Sequence, residues 1–182
     1  MRYNKVLLLV LSSFGEQHGD KLKKSILFGT NSHAEHPMAG PGYIAEVLLT
    51  NNIDYSVFDA RLGYTREDLK KRVLEYKPDL VGVTMLTPMY KRNYDVLDSI
   101  KEWLSEVHIV LGGPHITAVR EKALEECKAI DIGVVNEGEE AILELCQGKD
   151  LREIKGVLLR SGGDIVFTGR RPHIENLDEL PF

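Results

Sequence analysis

Three short stretches of this chain carry residue types suited to ligand chemistry: Thr84-Met85-Leu86-Thr87, Gly112-Gly113-Pro114-His115 and Asn136-Glu137-Gly138-Glu139. The hydroxyls of Thr84 and Thr87 can pair with the amide side chains of a large ligand or merely satisfy strand-end backbone groups, and Glu137 at a helix start can equally complement the helix dipole. Gly112 and Gly113 remove side chains where a large flat ligand, or its tail, can approach the backbone. His115 adds an imidazole on the same rim. Each stretch follows a short apolar run that reads as a buried strand, and in an open parallel sheet such strand ends meet at the carboxyl edge, where ligands bind. The three stretches therefore face one site, and the pattern is that of a cofactor-binding edge.

The elements that must hold this edge alternate regularly. Residues 6–11 are a continuous apolar run, as in a strand buried on both faces. Residues 12–38 form a long polar connection, longer than the roughly 12–15 residues common in compact domains, which suggests a ligand-covering loop. A helix is expected over 41–49, with Pro41 in its first turn. A strand at 54–58 precedes a helix capped by Thr65, with Asp68 completing a capping box, that runs to Tyr76. Strands at 80–84, 107–111 and 132–135 alternate with helices at 90–104, 117–127 and 137–146. This alternation predicts a doubly wound α/β domain with a parallel sheet of order 2-1-3-4-5 over residues 1–150. Residues 151–182 read as an extension, with a β-hairpin at 156–168 turning on Ser161-Gly162-Gly163, then a polar linker.

Composition narrows the partners. A net charge of −5 disfavours nucleic acid, since phosphate binding wants a basic face. No apolar run approaches the roughly 18 residues of a membrane span, and no signal peptide is evident, so a cytoplasmic location is expected. Cys127 and Cys146 have no metal or redox spacing and read as small core hydrophobes.

Met38-Ala39-Gly40-Pro41-Gly42-Tyr43-Ile44-Ala45, Pro78-Asp79-Leu80-Val81-Gly82-Val83-Thr84, Leu111-Gly112-Gly113-Pro114-His115, Glu137-Gly138-Glu139 and Leu177-Asp178-Glu179-Leu180-Pro181-Phe182 occur in order. Together they resemble the N-terminal cobalamin (vitamin B12)-binding domain of the B12-dependent radical SAM enzymes, a group that includes anaerobic magnesium-protoporphyrin ester cyclases and many methyltransferases. The resemblance implies a flavodoxin-like fold holding cobalamin, with the nucleotide tail near strands three and four. Thr84, Leu86 and Thr87 would meet the tail or the corrin side chains. Gly112 and Gly113 would give the tail room, with Pro114 and His115 on the rim and Glu137 and Gly138 bordering the site. Ser12, Ser13, Gly40, Met85 and Asn136 complete the implied cofactor-binding set. Asn136 stands where the family usually has glycine, and Met38 and Pro41 replace its commoner proline and leucine. The resemblance also implies a radical SAM catalytic domain, in cis or in trans, carrying a [4Fe-4S] cluster and S-adenosylmethionine, and neither cysteine here could supply that cluster's ligands.

Two motifs offer rival readings. Glu16-Gln17-His18 partly matches the D-x-H-x-x-G cobalt-ligand motif of methionine synthase and the mutases, but Glu16 replaces the aspartate and Lys21 the glycine. His18 is therefore a weak candidate ligand, and base-off cobalamin without a histidine from this loop on cobalt is expected. Gly40-x-Gly42-x-x-Ala45 fits the dinucleotide fingerprint, with Asp59 downstream. The alternative to a cobalamin module is accordingly a flavodoxin-like or Rossmann-like nucleotide-binding oxidoreductase domain. A partner-binding domain without cofactor is a third reading.

Overall fold

A computed structural model describes residues 2–11, 38–88, 90–174 and 176. Strands β1 (Lys5–Val10), β2 (Asp54–Asp59), β3 (Leu80–Thr84), β4 (His108–Gly112) and β5 (Ile132–Val134) lie parallel in the order β2-β1-β3-β4-β5. This is the order expected from the alternation. Strands β6 (Val157–Ser161) and β7 (Asp164–Phe167) continue the same sheet antiparallel from β5, making seven strands. Their turn has two central residues, Gly162 and Gly163, with φ of 62° and 96°. Positive φ at both positions matches the right-handed twist of a hairpin, and glycine takes it without steric cost.

The helices are α1 (Ala39–Thr50), α2 (Arg66–Tyr76), α3 (Tyr90–Trp103), α4 (Pro114–Val119), α5 (Glu121–Glu126) and α6 (Glu139–Gln147). Strand side chains alternate between two cores. Leu7, Leu9, Val83 and Leu111 pack on one face with Leu69 and Val73 of α2 and Leu97 and Ile100 of α3. Val6, Leu8, Val110 and Val134 pack on the other with Leu48 of α1 and Ala141, Ile142 and Leu145 of α6. Helices α1 and α6 thus cover one face and α2 to α5 the other.

Local chemistry explains several boundaries. Thr65 and Asp68 form the expected capping box, each side chain accepting from the other's backbone N–H. At the amino edge, the Asp79 carboxylate accepts from the N–H groups of Asn4 at 2.8 Å and Lys5 at 3.0 Å, tying β1 to β3. The helix expected over 117–127 is instead two short ones. Pro114 at the first position starts α4 directly after Gly113, and Arg120 breaks it with φ 53° and ψ −124°. After this break the Arg120 guanidinium lies 4.2 Å from the centre of the Phe167 ring, and Arg160 of β6 donates to the last carbonyls of α5, Leu124 at 2.5 Å and Cys127 at 3.2 Å. The hairpin and the broken helix hold one another.

Candidate functional site

The ends of β3, β4 and β5 meet at the carboxyl edge, where Thr84 pairs with Gly112 and Gly82 with Val110. By strand alternation Gly82, Thr84 and Gly112 face α1 and α6. Their neighbours on the opposite face, Val81, Val83 and Leu111, are fully buried, whereas Gly82, Thr84 and Gly112 retain solvent exposure. Exposed backbone in the middle of a central strand is unusual, because both faces of a doubly wound sheet are normally covered. Small residues and an incompletely covering α1, whose Ile44 and Ala45 are only partly buried, leave a partly exposed strip over β3 and β4, the candidate slot. Ile44 also marks the approach of α1 to α6: a Cβ on Gly138 would lie 3.6 Å from its Cδ1.

The two glycines of the pair do different work. A Cβ on Gly112 would meet only the Val83 carbonyl, at 3.8 Å, an ordinary contact. A Cβ on Gly113 would lie 2.7 Å from Thr84 Oγ1 and 3.0 and 3.2 Å from the backbone N and O of Met85, and Gly113 has φ 91°. The space beside Gly113 is therefore filled by the chain itself, which corrects the expectation that Gly113 leaves room for a ligand tail. Gly112 keeps open space.

His115 lies beneath the edge rather than on an exposed rim, with 1% of its surface accessible. Its backbone N–H donates to the Met85 carbonyl at 3.0 Å. Nε2 is 2.8 Å from the Tyr94 hydroxyl, Nδ1 is 3.3 Å from Thr87 Oγ1, and the Tyr90 ring stacks on the imidazole at 4.8 Å. Burial lowers the His115 pKa, partly opposed by the charge of Glu126, and so favours the neutral ring. Above it Leu86 and Thr87 stand exposed, Leu86 at 53%.

Asn136 has φ 67°, so it adopts the left-handed conformation that glycine would take, and asparagine tolerates it better than most residues. Its N–H donates to Thr117 Oγ1 at 3.0 Å. The Glu137 carboxylate accepts from the N–H of Ile174 at 2.9 Å and faces His173 Nδ1 at 3.4 Å, so it holds the segment after the hairpin at this edge. Glu139, in the first turn of α6, has Oε2 buried with no hydrogen-bond partner among the described residues. Sequence reasoning gives a carboxylate there to the helix dipole. A buried, orphaned acceptor in the first turn of α6 is the signal that reading lacks.

Gly40 sits in the first turn of α1, and Gly42 follows within the same helix. The glycines are not in a tight turn ahead of a helix, so the geometry of a dinucleotide fingerprint is absent. Met85 is buried, and Pro114 opens α4. Ser12, Ser13 and His18 lie outside the described residues. Cys127 and Cys146 are buried free thiols whose pKa values burial pushes up to about 11 and about 12. None of the described helices is long and apolar enough to cross a membrane.

The fold defines the class: a doubly wound α/β domain with three parallel strand ends converging at its carboxyl edge. The comparisons with known proteins supply the family. A sequence model of the B12 binding domain matches residues 27–146, and this chain belongs to that family. It is 32% identical over 150 residues to an uncharacterized methyltransferase of Pyrococcus horikoshii, which takes in 80% of this chain and 32% of that protein. It is also 32% identical over 135 residues to an anaerobic magnesium-protoporphyrin IX monomethyl ester cyclase of Cereibacter sphaeroides, 70% of this chain and 22% of that one. The chain thus spans about a third or less of the length of these relatives. Its fold is shared with the cobalamin-dependent S-adenosylmethionine radical enzyme OxsB, at TM-score 0.71 and 16% identity over 93% of this chain and 22% of that one. The radical S-adenosylmethionine methyltransferase TsrM from Kitasatospora setae matches at TM-score 0.64 and 20% identity, over 100% of this chain and 31% of that one.

Proposed function

We propose that this chain binds cobalamin in the base-off form, its nucleotide tail in the slot over Gly82, Thr84 and Gly112, and presents it to a radical SAM catalytic domain in cis or in trans. The observation that carries this reading is the partial exposure of Gly82, Thr84 and Gly112 on the α1 and α6 face of the central strands β3 and β4, whose opposite face is buried. A flat nucleotide tail needs a narrow apolar slot with few polar contacts, and Ile44 and Ala45 supply apolar surface beside the glycines. The orphaned Oε2 of Glu139 fits a hydroxyl or amide donor, which would offset the cost of burying that acceptor. At the mouth, Thr87 and Leu86 offer a hydroxyl and an apolar surface to the corrin edge. When bound, cobalamin supplies a cobalt centre able to carry a methyl group or to take part in one-electron chemistry. The protein's part is to bind the tail, orient the macrocycle and keep the tail base away from the metal. In the complete enzyme the [4Fe-4S] cluster and S-adenosylmethionine belong to the catalytic domain, and the site residues proposed here touch neither.

Comparison of hydroxocobalamin with cobinamide, which lacks the nucleotide tail, tests the slot. Equilibrium titration followed by visible absorption should show cobalamin bound at least about 10-fold more tightly, the equivalent of about 1.4 kcal/mol from the tail. Equal affinities would remove the tail from the slot. Saturable binding of flavin mononucleotide or a nicotinamide dinucleotide, with no corrinoid binding, would replace the reading with a nucleotide-binding oxidoreductase domain.

A further inference from the structure

After β3 the chain leaves the sheet with Leu86 and Thr87 exposed at the carboxyl edge, and neither lies in a helix or strand. Its backbone there is tied to β4 through the Met85 N–H, which donates to the Gly112 carbonyl at 3.2 Å, and to α3 through the Thr87 carbonyl, which accepts from the Tyr90 N–H at 3.3 Å; the contact to the Thr87 side chain comes from His115. The His115 N–H bonds the Met85 carbonyl at 3.0 Å, and the His115 ring reaches Thr87 Oγ1 at 3.3 Å through Nδ1. These two contacts bracket Leu86. The ring cannot swing away, because Tyr90 stacks on one side of it at 4.8 Å and the Tyr94 hydroxyl holds Nε2 at 2.8 Å. A buried imidazole with both nitrogens engaged and an aromatic neighbour has one orientation, and a neutral ring, with one donor and one acceptor, suits hydroxyls that can serve either role.

We infer that His115 is a positioning residue for the corrinoid site: it touches no cofactor, and through Thr87 it fixes the loop that sets Leu86 and Thr87 against the macrocycle. This rests on the cobalamin reading above. Its contacts with Tyr90 and Tyr94 orient the ring, and its contact with Thr87 delivers the effect. A histidine with only a packing role would make the two sides of the ring equivalent for binding.

The test separates them with isosteric halves of the imidazole. Asparagine at 115 places an amide atom near the Nδ1 position and keeps the Thr87 contact, whereas glutamine places one near Nε2 and keeps the Tyr94 contact. Hydroxocobalamin affinity and thermal midpoint are measured for wild type, His115→Asn, His115→Gln, Thr87→Val, Tyr94→Phe and the pair His115→Gln/Thr87→Val. We expect His115→Gln and Thr87→Val each to weaken binding about 10-fold, the upper range for one lost hydrogen bond. The pair should be no weaker than either alone, because the two residues act as one unit. His115→Asn and Tyr94→Phe should stay within about 3-fold of wild type in affinity while lowering the midpoint through the lost buried contact. Equal losses for Asn and Gln, additive losses in the pair, or unchanged affinity for Thr87→Val would overturn the inference. If His115 variants fail to fold, Tyr94→Phe decides it, a loss of more than about 3-fold overturning the inference. Wild type that binds no corrinoid would instead overturn the cobalamin reading itself.

Discussion

Substituting each member of the glycine pair by alanine should give opposite outcomes, and the structure fixes the sizes. Gly113 has φ 91° and ψ −173°, a region nearly reserved for glycine, which costs a side-chain-bearing residue of order 1–3 kcal/mol. The new Cβ would also lie 3.0 and 3.2 Å from backbone atoms of Met85, which cannot rotate away as the Thr84 hydroxyl can. The sum is a loss of about 2–4 kcal/mol, or a fall in Tm on the order of 4–16 °C for a domain of this size. Gly112→Ala meets only a carbonyl at 3.8 Å and should stay within about 0.5 kcal/mol of wild type. Extending the same position to Gly112→Leu should leave Tm within a few degrees while blocking corrinoid binding, because the side chain then occupies the slot. Calorimetry on the three variants, with a hydroxocobalamin titration of each, reads both properties. A Gly113→Ala protein as stable as wild type would refute the account of that residue. A Gly112→Leu protein that binds corrinoid normally would refute the placement of the slot.

Other consequences concern stability and reactivity. The folded state holds His115 below its ordinary pKa of 6.5, so stability is full above that pH and falls as the pH drops below it, when the unfolded chain takes up a proton that the buried ring resists. His115→Gln should flatten this dependence in denaturant titrations between pH 7.5 and about 5.5, and an unchanged slope would show that another group is responsible. Thr65→Ala removes the hydroxyl half of the α2 capping box, leaving the Thr65 N–H on the Asp68 carboxylate, and should cost about 1 kcal/mol; it should also return Asp68, whose carboxyl the Thr65 hydroxyl and N–H hold low, part of the way toward its ordinary pKa, as carbon NMR titration would read. Cys127 and Cys146 should react with a thiol reagent only at the rate of unfolding, since both are buried with raised pKa values; fast labelling of either in the native state would contradict that.

Where local chemistry decides the structure, the residues announce it. The Thr65 and Asp68 box, the Gly162-Gly163 turn and the apolar runs of the central strands all lie within a few positions of what they specify, and the sheet order follows from their alternation. The break at Arg120 does not show in sequence, because a positive φ on arginine is sustained by partners in β6 and β7, some forty residues away in the chain. The same limit governs the site. Three strand ends converge as the sequence suggests, but His115 is held by Tyr94 across a separation of 21 residues and lies under the edge instead of on it. Gly113 reads as an opening and is an internal close contact with β3. Glu139 looks like an ordinary first-turn carboxylate until its buried, unpartnered oxygen is seen.

The central claim, that this domain holds cobalamin with its tail in the slot, is tested most directly by mixing the purified chain with hydroxocobalamin and separating free corrinoid by gel filtration. The account predicts close to one equivalent of corrinoid eluting with the protein, with the absorption spectrum of the base-off form. A protein fraction that elutes colourless at micromolar concentration, or one whose bound corrinoid keeps the base-on spectrum, would contradict it.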